Sequence, residues 1–492
     1  MKYYNNIMFK LFNDLNNSEI RYCHFKSNQH IRQSFAAASD FDLLVDKKDK
    51  ARVNAFFVNY GIKRFESPVV NNYPDVENWL CFDDATGNIY HIHLHYALIT
   101  GTTHAKEYEL GLEKILLDNS YVNSDYNVKM PEAEYELLLL MIRLALKGTP
   151  KDFARAHSGK WVLDKGFYDE FNYLKNRSDI AKLEKICREI FDADITAEVK
   201  KCFKSGIGYD QYLKLYSSFR EHFSGNRRFS FLNAERLFWT QECIQKYGKV
   251  NKSLEGFYIT KKARYRRRGL SIAFVGVDGS GKTRVTQDIC SWLSKKIDSQ
   301  LVYLGTGDNA TKDIRALKWL SRNYDKTLWC NGGEEKTKIG DDIHDILKGS
   351  IVLCTTERNK IILQRVRKYV EAGGICVMDR FPQLEINNEN DGPKLGNLNG
   401  KNRIKNMMAA AEYKNLVKAI SMQPDIIFRL NIDIDTCIHR KSEHTNKRTT
   451  FMNKIESLKR INYAGAKVVE IDATKPYADE LLEIKTIIWS LL

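Results

Sequence analysis

The run Gly276-Val277-Asp278-Gly279-Ser280-Gly281-Lys282-Thr283 has the residue types and spacing of a phosphate cradle, G-x-x-x-x-G-K-[ST]. Its glycines let successive backbone N–H groups turn toward phosphate oxygens, and the free N–H groups of a following helix add positive potential. Lys282 would neutralise β- and γ-phosphates, and the Thr283 hydroxyl would ligate Mg²⁺. Such a loop needs a strand before it and a helix after it. Ile272-Ala273-Phe274-Val275 is a short apolar run of β type. Beyond the loop Val285, Ile289, Trp292 and Leu293 recur at i, i+4, i+7 and i+8, one face of a helix. With both flanks in place, the residues point to a nucleoside triphosphate as ligand.

A second candidate is Asp379-Arg380, closing the apolar run Gly374-Ile375-Cys376-Val377-Met378. A carboxylate there can hold Mg²⁺ and the arginine can grip a phosphoryl group bidentately. Nearer the amino terminus, Asp40 and Asp42 alternate along a strand, so both carboxylates face one side. Such a pair can hold Mg²⁺ for nucleotidyl transfer. His91, His93 and His95 share a face in the same way and would suit a softer metal.

The elements that must position these groups follow from periodicity. Apolar strand candidates at 270–275, 301–304, 375–378, 425–432 and 468–471 are separated by helical stretches. Leu481, Leu482, Ile484, Ile488 and Leu491 mark a closing helix. This alternation predicts an α/β fold with a parallel sheet and helices on both faces, its ligands at the carboxyl ends of the strands. Residues 20–100 mix short β-type runs with turns, and helical periodicity starts at Pro131, with Tyr135, Leu138, Leu139 and Ile142 on one face. The expected organisation is an α+β domain at 1–130, a helical domain at 131–260, a basic linker at 261–268 and the α/β domain at 269–492.

Composition sets the bounds. The chain has 492 residues, 43% hydrophobic and 28% charged, as in soluble globular proteins. Its strongest apolar stretch, 137–142, is stopped by Arg143, far short of a membrane span, and the start lacks the apolar core of a secretory signal. Ten cysteines without a C-x-x-C pair suggest neither a disulfide framework nor a zinc site and fit a reducing cytoplasm. Part of the net charge of +15 lies in Lys261-Lys262-Ala263-Arg264-Tyr265-Arg266-Arg267-Arg268. That run reads first as a solvated linker, with nucleic acid or another polyanion left open as a partner.

Residues 269–492 resemble the thymidylate kinase family of P-loop nucleoside monophosphate kinases. Four segments match in order: the phosphate loop, Leu353-Cys354-Thr355-Thr356-Glu357-Arg358, Met378-Asp379-Arg380-Phe381, and Pro424-Asp425-Ile426-Ile427-Phe428-Arg429-Leu430 followed by Asp433 and a basic segment. The resemblance implies an ATP- and Mg²⁺-dependent kinase, and a homodimer is compatible with it. Residues 276–283 would hold ATP, with Lys282 catalytic and Thr283 and Asp379 on the metal. Asp278 would orient the acceptor, and Arg358 and Arg380 would hold it in line. The segment after Ile438, with Arg440, Lys441, Lys447 and Arg448, is similar to the family's lid. Arg440 would bring charge to the transferring group and Arg448 would contact ATP.

The departures are informative. Arg284 replaces the family's second threonine, Tyr303-Leu304-Gly305-Thr306-Gly307-Asp308 replaces an arginine-proline-glycine segment, and the pyrimidine-site residues after Phe381 are absent. The donor half is kept and the base-recognition half rewritten. The expected acceptor is therefore another nucleotide, a phosphorylated sugar or a polyol, met by Thr306, Asp308, Gln383 and Asn387. The first hundred residues resemble nucleotidyltransferase-fold proteins through His24-Phe25-Lys26-Ser27, Ser39-Asp40-Phe41-Asp42-Leu43-Leu44-Val45 and His91-Ile92-His93-Leu94-His95-Tyr96. Ser27 stands where the family has glycine, and His93 where it has a third acid. Such fusions resemble proteins of bacterial surface-polysaccharide assembly, which implies a glycan-linked acceptor. Two other readings stay open: nucleotidyl transfer by the amino-terminal domain with a regulatory P-loop part, and a non-catalytic nucleotide-gated effector.

Overall fold

Phe41-Asp42-Leu43-Leu44-Val45 sends successive side chains to opposite faces of a sheet, and each face meets a different core. Phe41, Leu43 and Val45 join Phe12, Tyr22 and Ile92 on one side, while Leu44 joins Cys23, Phe25 and the helical residues Leu137–Leu140 on the other. The computed structural model describes residues 6–67, 72–247, 262–265, 268–305, 312–324, 338–396, 403–440 and 448–492. It divides into two compact units, Met1–Lys249 and Val250–Leu492.

In the first unit, strands β1 (Tyr22–His24), β2 (Phe41–Val45), β3 (Lys63–Glu66), β4 (Val76–Phe82) and β5 (Ile89–His95) line up as β1-β2-β5-β4-β3. Only β2 and β5 are parallel, in a register that sets Asp42 beside His93 and Leu44 beside His95. Helix Ala133–Lys147 buries every residue from Leu137 to Ile142, which explains its unbroken apolar run. Helices Lys165–Lys175, Ile180–Ile190, Ala193–Ser205 and Tyr209–His222 add Phe171, Ile186, Val199 and Phe219 to the core that it shares with the sheet.

The second unit holds β6 (Ser271–Gly276), β7 (Ser299–Tyr303), β8 (Ile375–Asp379), β9 (Ile426–Asn431) and β10 (Val468–Asp472) in the order β7-β8-β6-β9-β10. All four pairings are parallel. The buried runs of β6, β8 and β9 are what a covered parallel sheet requires, and Phe274 and Phe428 stack across β6 and β9 with ring centroids 5.1 Å apart. The strands fall within two residues of the positions expected from the sequence. Parallel register sets the carboxyl ends of β6 and β8 side by side, with Phe274 opposite Asp379.

The basic segment before β6 is partly neutralised at home. Arg264 Nε lies 2.8 Å from Asp298, Arg268 pairs with Asp425, and Lys262 Nζ donates to the Lys295 carbonyl at 3.0 Å. Lys261, Arg266 and Arg267 lie outside the described residues.

Candidate functional site

The glycine loop leaves β6 and enters helix Lys282–Ser294 through two left-handed residues, Gly279 and Gly281, both at φ 92°. A side chain is strained in that region, so these two glycines are required by the turn itself. Gly276 is required by contact: a Cβ there would stand 2.5 Å from Ser280 Oγ and 3.2 Å from the Leu430 carbonyl oxygen. The loop therefore folds tightly back over the end of its own strand.

Lys282 is 6% exposed and donates from Nζ to the Val277 carbonyl at 2.7 Å. Burial, then the facing Arg380 guanidinium, holds its ammonium down to about 8, against the attraction of Asp278, Asp379 and Asp391. At the next residue, the Thr283 hydroxyl donates to Asp379 Oδ2 at 3.0 Å. Asp379 is 3% exposed, and its other oxygen, Oδ1, is buried without a hydrogen-bond partner. A buried carboxylate oxygen left unpaired is costly, and a divalent cation between it and Thr283 Oγ1 would satisfy it. These two oxygens fit Mg²⁺, which prefers hard oxygen ligands and keeps several waters.

Arg380 follows Asp379 in the left-handed region, at φ 78°, which turns its side chain out of the strand direction toward the loop. Its guanidinium sits 3.4 Å from Asp278 and 3.4 Å from both oxygens of Asp391. Burial works against the charge, but Asp391, Tyr303, Asp278 and Asp379 raise its pKa further. Gly305 makes room: a Cβ there would lie 2.3 Å from the Tyr303 hydroxyl and 3.0 Å from Arg380 Cδ. Asp278 also faces Lys454 Nζ at 4.0 Å. Asp278, Lys282, Thr283, Asp379 and Arg380 thus form one cluster, drawn from two loops more than ninety residues apart. Asp391 and Lys454 belong to it as well. The sequence reading gave them no role, because nothing local in Asp391-Gly392-Pro393 or in an amphipathic helix marks a distant partner.

The other expected residues stand elsewhere. Arg358, on the long helix Lys338–Glu371, donates to the Tyr303 carbonyl at 3.3 Å, and the next residue, Asn359, donates to the Leu304 carbonyl at 2.7 Å. Arg358 therefore sits at the carboxyl end of β7, lining a cavity of about 760 Å³ with Leu353, Glu357 and Arg365. Arg440 donates to the Ala473 carbonyl at 3.0 Å and faces Glu480, whose carboxyl burial pushes up to about 7. Arg448 pairs with Asp435 at 2.9 Å, both exposed. Neither contacts the Lys282 cluster through any bond among the described residues. Lys441, Lys447, Thr306 and Asp308 lie outside those residues. Gln383 corrects an expectation. Its amide donates to the Ile386 and Glu389 carbonyls and accepts from the Glu385 and Ile386 N–H groups, all within 2.9 Å. Every polar atom braces its own loop, leaving nothing for an acceptor.

In the amino-terminal unit the acids and histidines do meet. Asp42 Oδ1 lies 3.3 Å from His93 Nδ1 and 3.3 Å from His95 Nε2, and Asp40 Oδ1 lies 3.4 Å from His91 Nδ1. Two groups, Asp40-His91-His93 and Asp42-His93-His95, have metal-ligand spacing and share His93. Lys26 Nζ nevertheless stands 2.9 Å from Asp42 Oδ1, a cation where a metal would sit. Burial works to raise the Asp42 carboxyl, but Lys26 and the bonds from His93 and His95 hold it well below the usual carboxylate range. Burial pushes the His95 imidazole down to about 3. Ser27 adopts the left-handed conformation of the glycine it replaces, at φ 58°, and the turn N–H groups are already used. Ser27 N–H donates to Glu170 at 3.1 Å and Asn28 N–H to Glu136 at 3.1 Å.

A parallel sheet whose central strands end in a glycine loop and an Asp-Arg pair, with Thr283 bonded to Asp379, defines a P-loop, kinase-like unit. No family model matches the chain. Curated relatives do. The Uncharacterized ATP-binding protein YghR of Escherichia coli K12 is 31% identical over 218 residues, 43% of this chain and 83% of that protein. The Uncharacterized ATP-binding protein YghS of the same strain is 28% identical over 214 residues, 43% of this chain and 89% of that protein. The Thymidylate kinase of Prochlorococcus marinus NATL2A is 28% identical over 181 residues, 37% of this chain and 75% of that protein. The chain belongs to the family of YghR.

Proposed function

We propose that the chain is an ATP- and Mg²⁺-dependent phosphotransferase of the nucleoside monophosphate kinase type, acting through the part at 269–492 on an acceptor other than thymidylate. The observation that carries this is the Thr283–Asp379 hydrogen bond with the buried, unpartnered Asp379 Oδ1 beside Lys282 and Arg380. The ATP-binding names of YghR and YghS and the thymidylate kinase likeness support the same reading.

In this reading residues 276–283 wrap the donor phosphates with backbone N–H groups, and Lys282 leaves the Val277 carbonyl to meet them. Thr283 and Asp379 hold Mg²⁺, which when bound neutralises charge on the β- and γ-phosphates. Arg380 exchanges Asp278 and Asp391 for the acceptor or the transferring group. Arg358 holds the acceptor in line, while Arg440 and Arg448 belong to the lid segment, Arg440 serving the transferring group and Arg448 the ATP. The retained donor half and the rewritten segments after β7 and Phe381 favour a phosphorylated sugar, a polyol or a glycan-linked acceptor, as surface-polysaccharide assembly in a bacterial cytoplasm would use. The first hundred residues serve as a nucleotidyltransferase-like part. Lys26 on Asp42, and the carboxylates on the Ser27 and Asn28 N–H groups, favour placing the transfer chemistry in the P-loop part.

The test is ADP release from ATP–Mg²⁺ against a panel of nucleoside monophosphates, sugar phosphates and polyols, with Lys282→Ala as background. One acceptor should raise ADP release well above that variant. Tight ATP binding with no acceptor-dependent release across the panel would instead make the chain a nucleotide-gated effector.

A further inference from the structure

Arg143 and Lys147 are spaced i, i+4 at the carboxyl end of helix Ala133–Lys147, where like charges repel. Lys26 and Lys106 line the same small cavity, of about 40 Å³. Among the described residues Lys106, Arg143 and Lys147 have no ion pair, although carboxylates stand close by. Those acids are committed: Asp152 closes the cap of helix Pro150–His157, Asp164 caps helix Lys165–Lys175, and Glu170 accepts from Ser27 N–H. Mutual repulsion is visible in the lysines. Arg143, then burial, then Lys26 and Lys106 hold the Lys147 ammonium down to about 7, with Glu170 opposing. Burial, then Lys26 and Arg143, holds Lys106 down to about 8, with Asp42 opposing.

Two residues that line this cavity carry a buried polar atom without a partner. Thr100 Oγ1, a hydroxyl able to donate, is buried without a hydrogen bond among the described residues, and so is His95 Nδ1, which with Nε2 donating to Asp42 is left an acceptor for a water or a lysine N–H rather than for an oxyanion. The volume suits a few waters or one tetrahedral oxyanion. Arg143 and Lys147 also line an adjoining cavity of about 390 Å³. On its wall Trp161 stacks against Tyr212, ring centroids 4.1 Å apart and 13° from parallel, and the buried Tyr212 hydroxyl has no partner either. The half-buried Trp161, braced from behind by the buried Tyr212, gives a flat apolar face next to a cationic recess, which matches a ring that carries phosphate.

We infer that the amino-terminal unit contains a second ligand site, in which Lys26, Lys106, Arg143 and Lys147 bind the phosphates of a nucleotide- or sugar-type ligand whose ring lies against Trp161. The recess adjoins the Asp42 cluster, since Lys26 pairs with Asp42 and His95 belongs to that cluster, and an anionic ligand would partner Lys106, Arg143 and Lys147, which have no ion pair among the described residues. The site does not depend on the phosphotransferase reading.

The experiment uses the full chain carrying Lys282→Ala, which weakens the P-loop, and the Arg143→Ala comparison subtracts whatever that loop still binds. Inorganic pyrophosphate and UDP-glucose are titrated by calorimetry, with Trp fluorescence in parallel. Both should bind saturably, with UDP-glucose tighter. Arg143→Ala and Lys147→Ala should each weaken both probes about tenfold or more, and Arg143→Lys should recover part of the loss. Neither alanine variant should melt lower, since each relieves repulsion, so lost binding cannot be ascribed to unfolding. Trp161→Ala should remove the advantage of UDP-glucose and leave pyrophosphate unchanged. No saturable binding of either probe, or binding indifferent to Arg143→Ala, overturns the site. Equal affinity of the two probes in the Trp161 chain overturns the ring subsite.

Discussion

Lys282→Met should stabilise the folded chain while removing its response to ATP. The Lys282 ammonium is buried, and burial with the facing Arg380 moves its pKa from 10.5 to about 8. At about 1.4 kcal/mol per pH unit, the folded state carries a penalty of roughly 3 kcal/mol at neutral pH. Methionine has similar length and no charge to desolvate, but it gives up the bond to the Val277 carbonyl, which offsets about 1 kcal/mol. The net gain of about 2 kcal/mol corresponds to a melting temperature higher by roughly 4–8 °C for a unit of this size. The pH dependence has a definite sign. Below pH 8 both folded and unfolded chains hold the proton, and the full penalty applies. Between about pH 8 and 10.5 the unfolded chain binds more protons than the folded one, so wild-type stability rises with pH and the advantage of methionine fades. Differential scanning calorimetry of the full chain, with and without ATP–Mg²⁺, follows the transition that nucleotide raises in the wild type. A lower melting temperature for Lys282→Met at pH 7, or a retained ATP-dependent rise, would refute the reasoning.

The same lysine predicts that ATP affinity declines as pH rises through about 8, with up to one proton taken up per ATP bound; calorimetry in buffers of different ionisation enthalpy measures that uptake. Arg380→Ala should lower kcat by about two to three decades while ATP affinity stays within a small factor, read from steady-state kinetics beside direct ATP titration. Asp379→Asn should appear as a raised Mg²⁺ requirement, since it weakens the oxygen pair with Thr283; an unchanged Mg²⁺ dependence removes Asp379 from the metal. Thymidylate should be a poor acceptor by several decades in kcat/KM, and efficient ADP production saturating at micromolar thymidylate would contradict the rewritten acceptor side.

Much of the site could be read along the chain because it is local. Gly276 to Thr283 are consecutive, their glycines answer turn geometry and close contact within a few residues, and the flanking strand and helix show in short-range periodicity. Asp379-Arg380 was legible for the same reason: an apolar run ends and a charged pair begins. Gln383 shows the limit of residue type as evidence, since an amide that could meet a ligand instead closes its own loop with four hydrogen bonds.

The sequence by itself determined the phosphate loop, the parallel α/β character around it and the strand positions, since these depend on backbone freedom and side-chain period within a dozen residues. Tertiary structure decided which distant groups share a volume. Parallel register brought Asp379 to Thr283, a left-handed Arg380 swung between Asp278 and Asp391, and helix packing gathered Lys26, Lys106, Arg143 and Lys147 around one recess. Those pairings rest on strand order and packing between segments far apart in the chain, and Coulomb interaction depends on distance in space, which no local pattern encodes.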